Sequence, residues 1–167
     1  MYAVSRVLTK HRALNALMLD EQTMRFYNTV NLGMAVDTPR GLLVPTLKNA
    51  DKKSISEISV ELKALAKEAQ GGTISPEKLS GGSFTVTNLG SFGVESFTPV
   101  LNAPQVGILG VGTITNRVKT VNGALAMYPA MTLSLTFDHR AVDGAPAAKF
   151  LKELCSALEN FSVAVAT

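Results

Sequence analysis

Residues 130–144 read AMTLSLTFDHRAVDG. Met131, Leu133, Leu135 and Phe137 alternate with Thr132, Ser134 and Thr136, the period of two expected of a strand with one buried face. The period stops at Asp138. Four ionisable side chains, Asp138, His139, Arg140 and Asp143, then crowd into a short stretch that ends at Gly144. Farther on, Phe150, Leu151, Leu154, Cys155 and Leu158 recur at helical spacing, and this final helix is expected to start near Pro146 and to carry all five inward. A buried strand that delivers charge into a tight loop before a helix implies an α/β chain, with chemistry presented from the strand's end.

Upstream the same alternation recurs. SFTVTN (83–88) reads as a strand, LGSFG as a glycine loop, and VGILGVGTI as a strand of small residues followed by a hairpin turning at Asn122-Gly123. YNTVNLGMAVDT reads as one half-buried strand through Val30, Leu32, Met34 and Val36. After a turn at Thr38-Pro39-Arg40-Gly41, GLLVPTLKN reads as a second, whose proline confines it to an edge or a bulge. The clearest helix begins at Ser54-Ile55-Ser56-Glu57, a capping box, carries Ile55, Ile58, Leu62, Leu65 and Ala69 on one stripe, and ends at Gly71-Gly72. A short turn, SPEKLS, follows. Tyr2, Val4, Val7 and Leu8 are already periodic, so the sequence opens inside a helix. No strand is expected between that helix and Tyr27.

The chain has 167 residues, 46% of them apolar and 17% charged, with a net charge of +3. This fits one globular domain, residues 1–167, without repeats or linkers. Basic groups such as Lys10-His11-Arg12 and Lys52-Lys53 are short and scattered, which disfavours a nucleic-acid surface. Cys155 is the single cysteine, so neither an internal disulfide nor a thiolate metal cluster is available, and a buried structural thiol is expected. No apolar run approaches the ~18 residues of a membrane span, and no secretory pattern opens the chain. A soluble, cytoplasmic protein is expected.

Several motifs fail on inspection. GILGVG has the wrong glycine order for a dinucleotide loop, and no helix follows, so close strand packing is expected. Ser91 in LGSFG has leucine where a nucleophile elbow needs glycine. The lysines of NADKKS precede a helix cap instead of standing in a hairpin turn. His11 sits at a helix end, where a cation favours the dipole, and metal binding by two distant histidines is not expected. His139 remains. An imidazole with an ordinary pKa of ~6.5 is a competent base near neutrality, Asp143 is close enough in sequence to fix its geometry, and Gly144 permits a tight loop.

Three segments together resemble a known family: NLGMAVDTPRGLLVPTLKNADKKSI, GGSFTVTNLGSFGVESFTPVLNAPQVGILGVG and LSLTFDHRAVDG. They are similar to the catalytic domain of the 2-oxo acid dehydrogenase E2 acyltransferases (dihydrolipoamide acyltransferases). The likeness runs from Asn31 to Leu158, and the blocks in this order are far more specific than H-x-x-x-D-G alone. It implies a chloramphenicol acetyltransferase-like two-layer sandwich, a mixed sheet with helices packed on it. It also implies an acyl group, acetyl in the commonest case, moved between dihydrolipoamide and coenzyme A. His139 would be the general base toward the thiol, Thr87 the hydroxyl donor to the oxyanion, and Asp143 a structural partner in the loop.

The resemblance further implies a homotrimer with the site between subunits, trimers assembled into larger cores, a lipoyl domain as substrate carrier, and E1 and E3 components engaged through other domains. No metal, nucleic acid or membrane is implied. Relative to the family domain, the chain is expected to be short at its N-terminus, where a basic helical segment, an early strand and an arginine partner for Asp143 would lie. Lipoyl and peripheral-subunit-binding domains are not expected, and NFSVAVAT differs from the leucine-rich tail that docks trimers. Two other readings stay open: a non-catalytic scaffold of the same fold, and a CoA-dependent acyltransferase for another acceptor.

Overall fold

Three parallel strands form the centre of the molecule. In the computed structural model, which describes residues 1–162, β3 (Leu32–Met34), β7 (Phe84–Asn88) and β8 (Gly107–Val121) run side by side. β6 (Thr46–Leu47) and β9 (Ala124–Phe137) close the two edges antiparallel, giving the order β6-β3-β7-β8-β9. The tail residues Val163 to Thr167 lie outside the described residues. α1 (Tyr2–Leu8) packs on α3 (Gly144–Glu159), α3 reaches β9, and α2 (Ile55–Gly71) lies against β6 and against β4 (Val36–Thr38). A mixed sheet with helices packed on it is thus what the alternating and helical periods produce.

The two faces of the sheet differ in chemistry. Leu32, Phe84, Val86 and Leu109 share one core with Val4, Leu8, Ile58, Leu65, Phe150 and Leu154 from the helices. Because successive side chains alternate, Thr85, Thr87, Ile108, Gly110, Ser134 and Thr136 occupy the other face. A loop covers part of this hydroxyl-rich face. Thr85 Oγ1 donates to Gln105 Oε1 at 2.6 Å, and Thr136 Oγ1 donates to the Pro99 carbonyl at 2.7 Å. These bonds satisfy polar groups that would otherwise be costly to bury.

Glycines in GILGVG serve close packing, as their order suggested. A Cβ on Gly107 would lie 2.6 Å from the Phe84 ring, and one on Gly112 would collide with the Glu95 carbonyl. The turn after β8 needs left-handed backbone at both Asn122 (φ 51°) and Gly123 (φ 81°), which these residues tolerate. The capping box of α2 is fully formed: the Glu57 N–H donates to Ser54 Oγ at 3.2 Å, and the Ser54 N–H donates to Glu57 Oε2 at 2.7 Å. Ser54→Ala is expected to destabilise the fold by about 1 kcal/mol in urea denaturation. Hydrogen bonds from the Ser54 backbone and hydroxyl hold the Glu57 carboxyl below its ordinary range. Its contribution is complete above the unfolded-state value and lost as pH falls through the folded-state value, so the penalty should shrink in acid.

The structure corrects five expectations. YNTVNLGMAVDT is two strands, because after Met34 the chain leaves the sheet at Ala35 and Val36–Thr38 pairs with β5 (Gly41–Leu43). GLLVPTLKN is also divided, since Pro45 has no N–H to continue a ladder; β6 beyond it is an edge strand, as the proline required. A hairpin of β1 (Ala16–Met18) and β2 (Met24–Phe26) occupies a stretch where no strand was expected. Cys155 is exposed, one position past the buried Leu154 and hence about 100° around the helix from it. The His11 ring is not solvated at a helix end: it packs edge-on to Phe150 at 5.4 Å, with Nε2 3.3 Å from Glu153 Oε2.

Candidate active site

The end of β9 becomes a turn that is tied down at both ends. The Asp138 N–H donates to the Val106 carbonyl at 2.8 Å, continuing the register of β9 against β8. The Asp138 carbonyl then accepts the N–H groups of Ala141 and Val142 at 3.0 and 3.1 Å. Val142 is buried and anchors the far side before α3 begins at Gly144. His139 therefore sits on the outside of a rigid turn, with its side chain 72% exposed. Its ring lies 5.7 Å from that of Phe137, tilted by 34°.

Three charged residues lie within four positions of it in sequence. Asp143 Oδ1 is 3.8 Å from His139 Nδ1, beyond hydrogen-bond range. Asp143 is the N-cap residue of α3, and its side chain makes no cap hydrogen bond. Arg140 folds back on Asp138 through a two-pronged contact, with Nη2 2.6 Å from Oδ2 and Nε 3.0 Å from Oδ1. Hydrogen bonding by the Arg140 side chain holds the Asp138 carboxyl below its ordinary range, and the same contact raises Arg140. The charges on either side of the histidine in sequence are thus joined to each other. Sequence reasoning located the charges but gave no role to this pair; their i, i+2 spacing within one turn was the available signal.

Thr87 lies elsewhere. It stands on β7, on the hydroxyl face, in register with Gly110 and, one strand farther, with Ser134. Among the described residues its hydroxyl has no hydrogen-bond partner, unlike that of Thr85 two positions earlier. Phe137 pairs with Gly107, three residues away from Gly110 along β8. At ~3.3 Å per residue and ~4.8 Å per strand, Thr87 and the start of the His139 turn are on the order of 14 Å apart. One chain brings His139 and Asp143 together; it does not bring Thr87 to them.

A cleft of about 560 Å³ also avoids the histidine. It opens on the helix side of the sheet and is lined by apolar groups such as Val4, Ile58, Leu109 and Leu133. That lining holds no histidine, carboxylate or thiol, so the catalytic candidates are those of the turn and the hydroxyl face.

Comparison with known proteins gives these positions a context. The catalytic domain of the 2-oxoacid dehydrogenase acyltransferases matches residues 1–166. The chain is 43% identical over 155 residues to the dihydrolipoyllysine-residue acetyltransferase component of the pyruvate dehydrogenase complex of Bacillus subtilis, covering 91% of this chain and 35% of that protein. It is 42% identical over 158 residues to the succinyltransferase component of the 2-oxoglutarate dehydrogenase complex of Bartonella vinsonii subsp. berkhoffii, covering 95% and 38%. It therefore spans little more than a third of the length of these relatives. Among solved structures, the dihydrolipoamide acetyltransferase of Azotobacter vinelandii superposes with a TM-score of 0.90 at 36% identity, covering 99% of this chain and 68% of that one. The cubic core of a pyruvate dehydrogenase multienzyme complex superposes equally well, at 35% identity with the same coverage. The chain belongs to the 2-oxoacid dehydrogenase acyltransferase family, to its catalytic domain.

Proposed function

We propose that this domain transfers an acyl group between dihydrolipoamide and coenzyme A, with His139 as general base, Thr87 as oxyanion donor and Asp143 as the group that orients the loop. The observation that carries the reading is one of spacing. The Azotobacter structure was described as an investigation of a serine, a histidine and an asparagine in the catalytic mechanism of that enzyme. There the serine precedes the histidine by 52 residues and the asparagine follows it by four; Thr87 and Asp143 stand at the same offsets from His139. Both replacements keep the needed chemistry, a hydroxyl for a hydroxyl and a side-chain acceptor for an acceptor.

A free thiol has a pKa of ~8.5 and is only partly ionised near neutrality, so a positioned base has a task. Imidazole Nε2 takes the proton from the attacking thiol, and its sulfur forms a bond to the thioester carbonyl carbon. The carbonyl oxygen becomes an oxyanion that accepts a hydrogen bond from the Thr87 hydroxyl. Collapse breaks the bond to the other sulfur, which receives the proton from the imidazolium. No acyl-enzyme is needed. Because base and hydroxyl lie far apart in one chain, the site is completed by a second copy, with His139 of one subunit facing Thr87 of its neighbour. A trimer, and a larger core of trimers, satisfy this requirement and agree with the cubic assembly named for a structural relative.

Relatives named as acetyl- and succinyltransferases align equally well, and acetyl is the acyl group we assign as the commonest. E1 and E3 components and a lipoyl domain would be the partners, in the cytoplasm. The test is thioester exchange between acetyl-CoA and free dihydrolipoamide, with His139→Ala as the blank and succinyl-CoA in parallel. Transfer above the blank supports the reading. A folded oligomer that transfers neither acyl group would favour a scaffold role, and transfer only to an amine or alcohol would favour a different acceptor. Asp143→Asn, which restores the residue of the Azotobacter enzyme, is expected to cost far less activity than loss of His139. An equal loss would show that the carboxylate takes part in proton transfer.

A further inference from the structure

Gly110 and Gly112 leave a slot along β8, and the loop of residues 94–99 fills it. The Thr113 N–H donates to the Val94 carbonyl at 2.8 Å, and Thr136 Oγ1 donates to the Pro99 carbonyl at 2.7 Å, so the loop is fastened to the sheet at both ends. Between these ties Phe97 lays its ring on Gly110. A Cβ there would lie 3.0 Å from Phe97 Cζ and 3.2 Å from Cε2, inside the ~3.5 Å at which carbons make contact. The Phe97 side chain is only half-buried, so part of the residue stays open to solvent. Gly110 is also the register partner of Thr87. The two share a face, and one strand spacing of ~4.8 Å separates their backbones. The tip of the ring therefore stands beside the Thr87 hydroxyl.

We propose that Phe97 is the wall against which the acyl group of the thioester lies, and that it makes the site prefer acetyl to succinyl. The proposal rests on the reading of Thr87 as oxyanion donor. A carbonyl oxygen held by that hydroxyl brings the carbonyl carbon, and the substituent on it, close to the neighbouring strand. An acetyl methyl there meets an apolar ring and gives up no polar contact. A succinyl group carries a carboxylate two methylenes farther along the same ring, which offers that charge no donor in place of the water it loses. Arg117, a cation that reaches this loop, is already paired with Glu95 Oε2 at 2.9 Å.

The test is the ratio of kcat/KM for acetyl-CoA to that for succinyl-CoA in thioester exchange with dihydrolipoamide. The wild type is expected to favour acetyl-CoA. Phe97→Ala should cut that preference by about 10–100-fold, the range over which an apolar pocket discriminates. Phe97→Leu, which keeps most of the wall, should cut it far less. Should the alanine variant not fold, Phe97→Val is read in its place by the same ratio. An active wild type that prefers succinyl-CoA, or a ratio that the shortened side chain leaves unchanged, would overturn the wall and leave His139 and Thr87 in their roles. If neither acyl group is transferred, the reading of the site fails, and calorimetric titration with the two acyl-CoAs still judges the wall. Tighter binding of acetyl-CoA that Phe97→Ala abolishes would uphold it; equal or absent binding would overturn it.

Discussion

His139→Ala is expected to lower thioester exchange by about 10²–10⁴-fold, the usual worth of a general base, while leaving the protein folded. Both halves follow from the turn. The side chain is 72% exposed and touches the rim of the fold through the Phe137 ring and the Asp143 carboxylate, so its removal opens no core cavity. Denaturation should change by no more than about 0.5 kcal/mol, as for other exposed substitutions. The turn itself is held by backbone bonds from Asp138 to Val106, Ala141 and Val142, none of which uses the imidazole. A variant that keeps most of its activity would remove His139 from the mechanism. A variant that loses activity together with cooperative unfolding would mean the histidine supports the structure.

That a candidate site stands at residue 139 was legible because every level of the sequence agreed there: alternation up to Phe137, charge at the strand's end, a glycine, then a helical period. The same agreement made α2 readable from its capping box and the β8–β9 hairpin from Asn122-Gly123. Legibility failed where strands were short. β1 and β2 have three residues each, too few to show a period; β1 is held by pairing with β2 and by a bridge from Leu17 to Gln105, nearly ninety positions away. The break at Ala35 has no sequence mark, since apolar residues keep alternating through it while the chain changes sheets. Cys155 shows a third kind of limit. A stripe of helical period fixes which side of α3 faces inward, but a residue at the stripe's edge is buried only if a neighbour reaches it.

Thr87 was the least legible residue, and Thr87→Val tests it most sharply. Thr85 and Thr87 share a face and a strand, and nothing local distinguishes them. The register and the hydrogen bonds do: Thr85 spends its hydroxyl on Gln105, whereas Thr87 beside Gly110 has no partner among the described residues. A donor kept free on a rigid strand is what an oxyanion requires, because it need not break another bond as charge develops. Valine matches the shape and removes the donor, so kcat is expected to fall about 10²–10³-fold, the cost of a lost oxyanion donor. KM for CoA should hardly change, since the contact forms only with the tetrahedral intermediate. Thr87→Ser, which keeps the donor and restores the Azotobacter residue at that offset, should retain most of the rate. Val and Ser variants of equal activity would show that the hydroxyl is not used. A rise in KM with kcat unchanged would make Thr87 a substrate-binding residue.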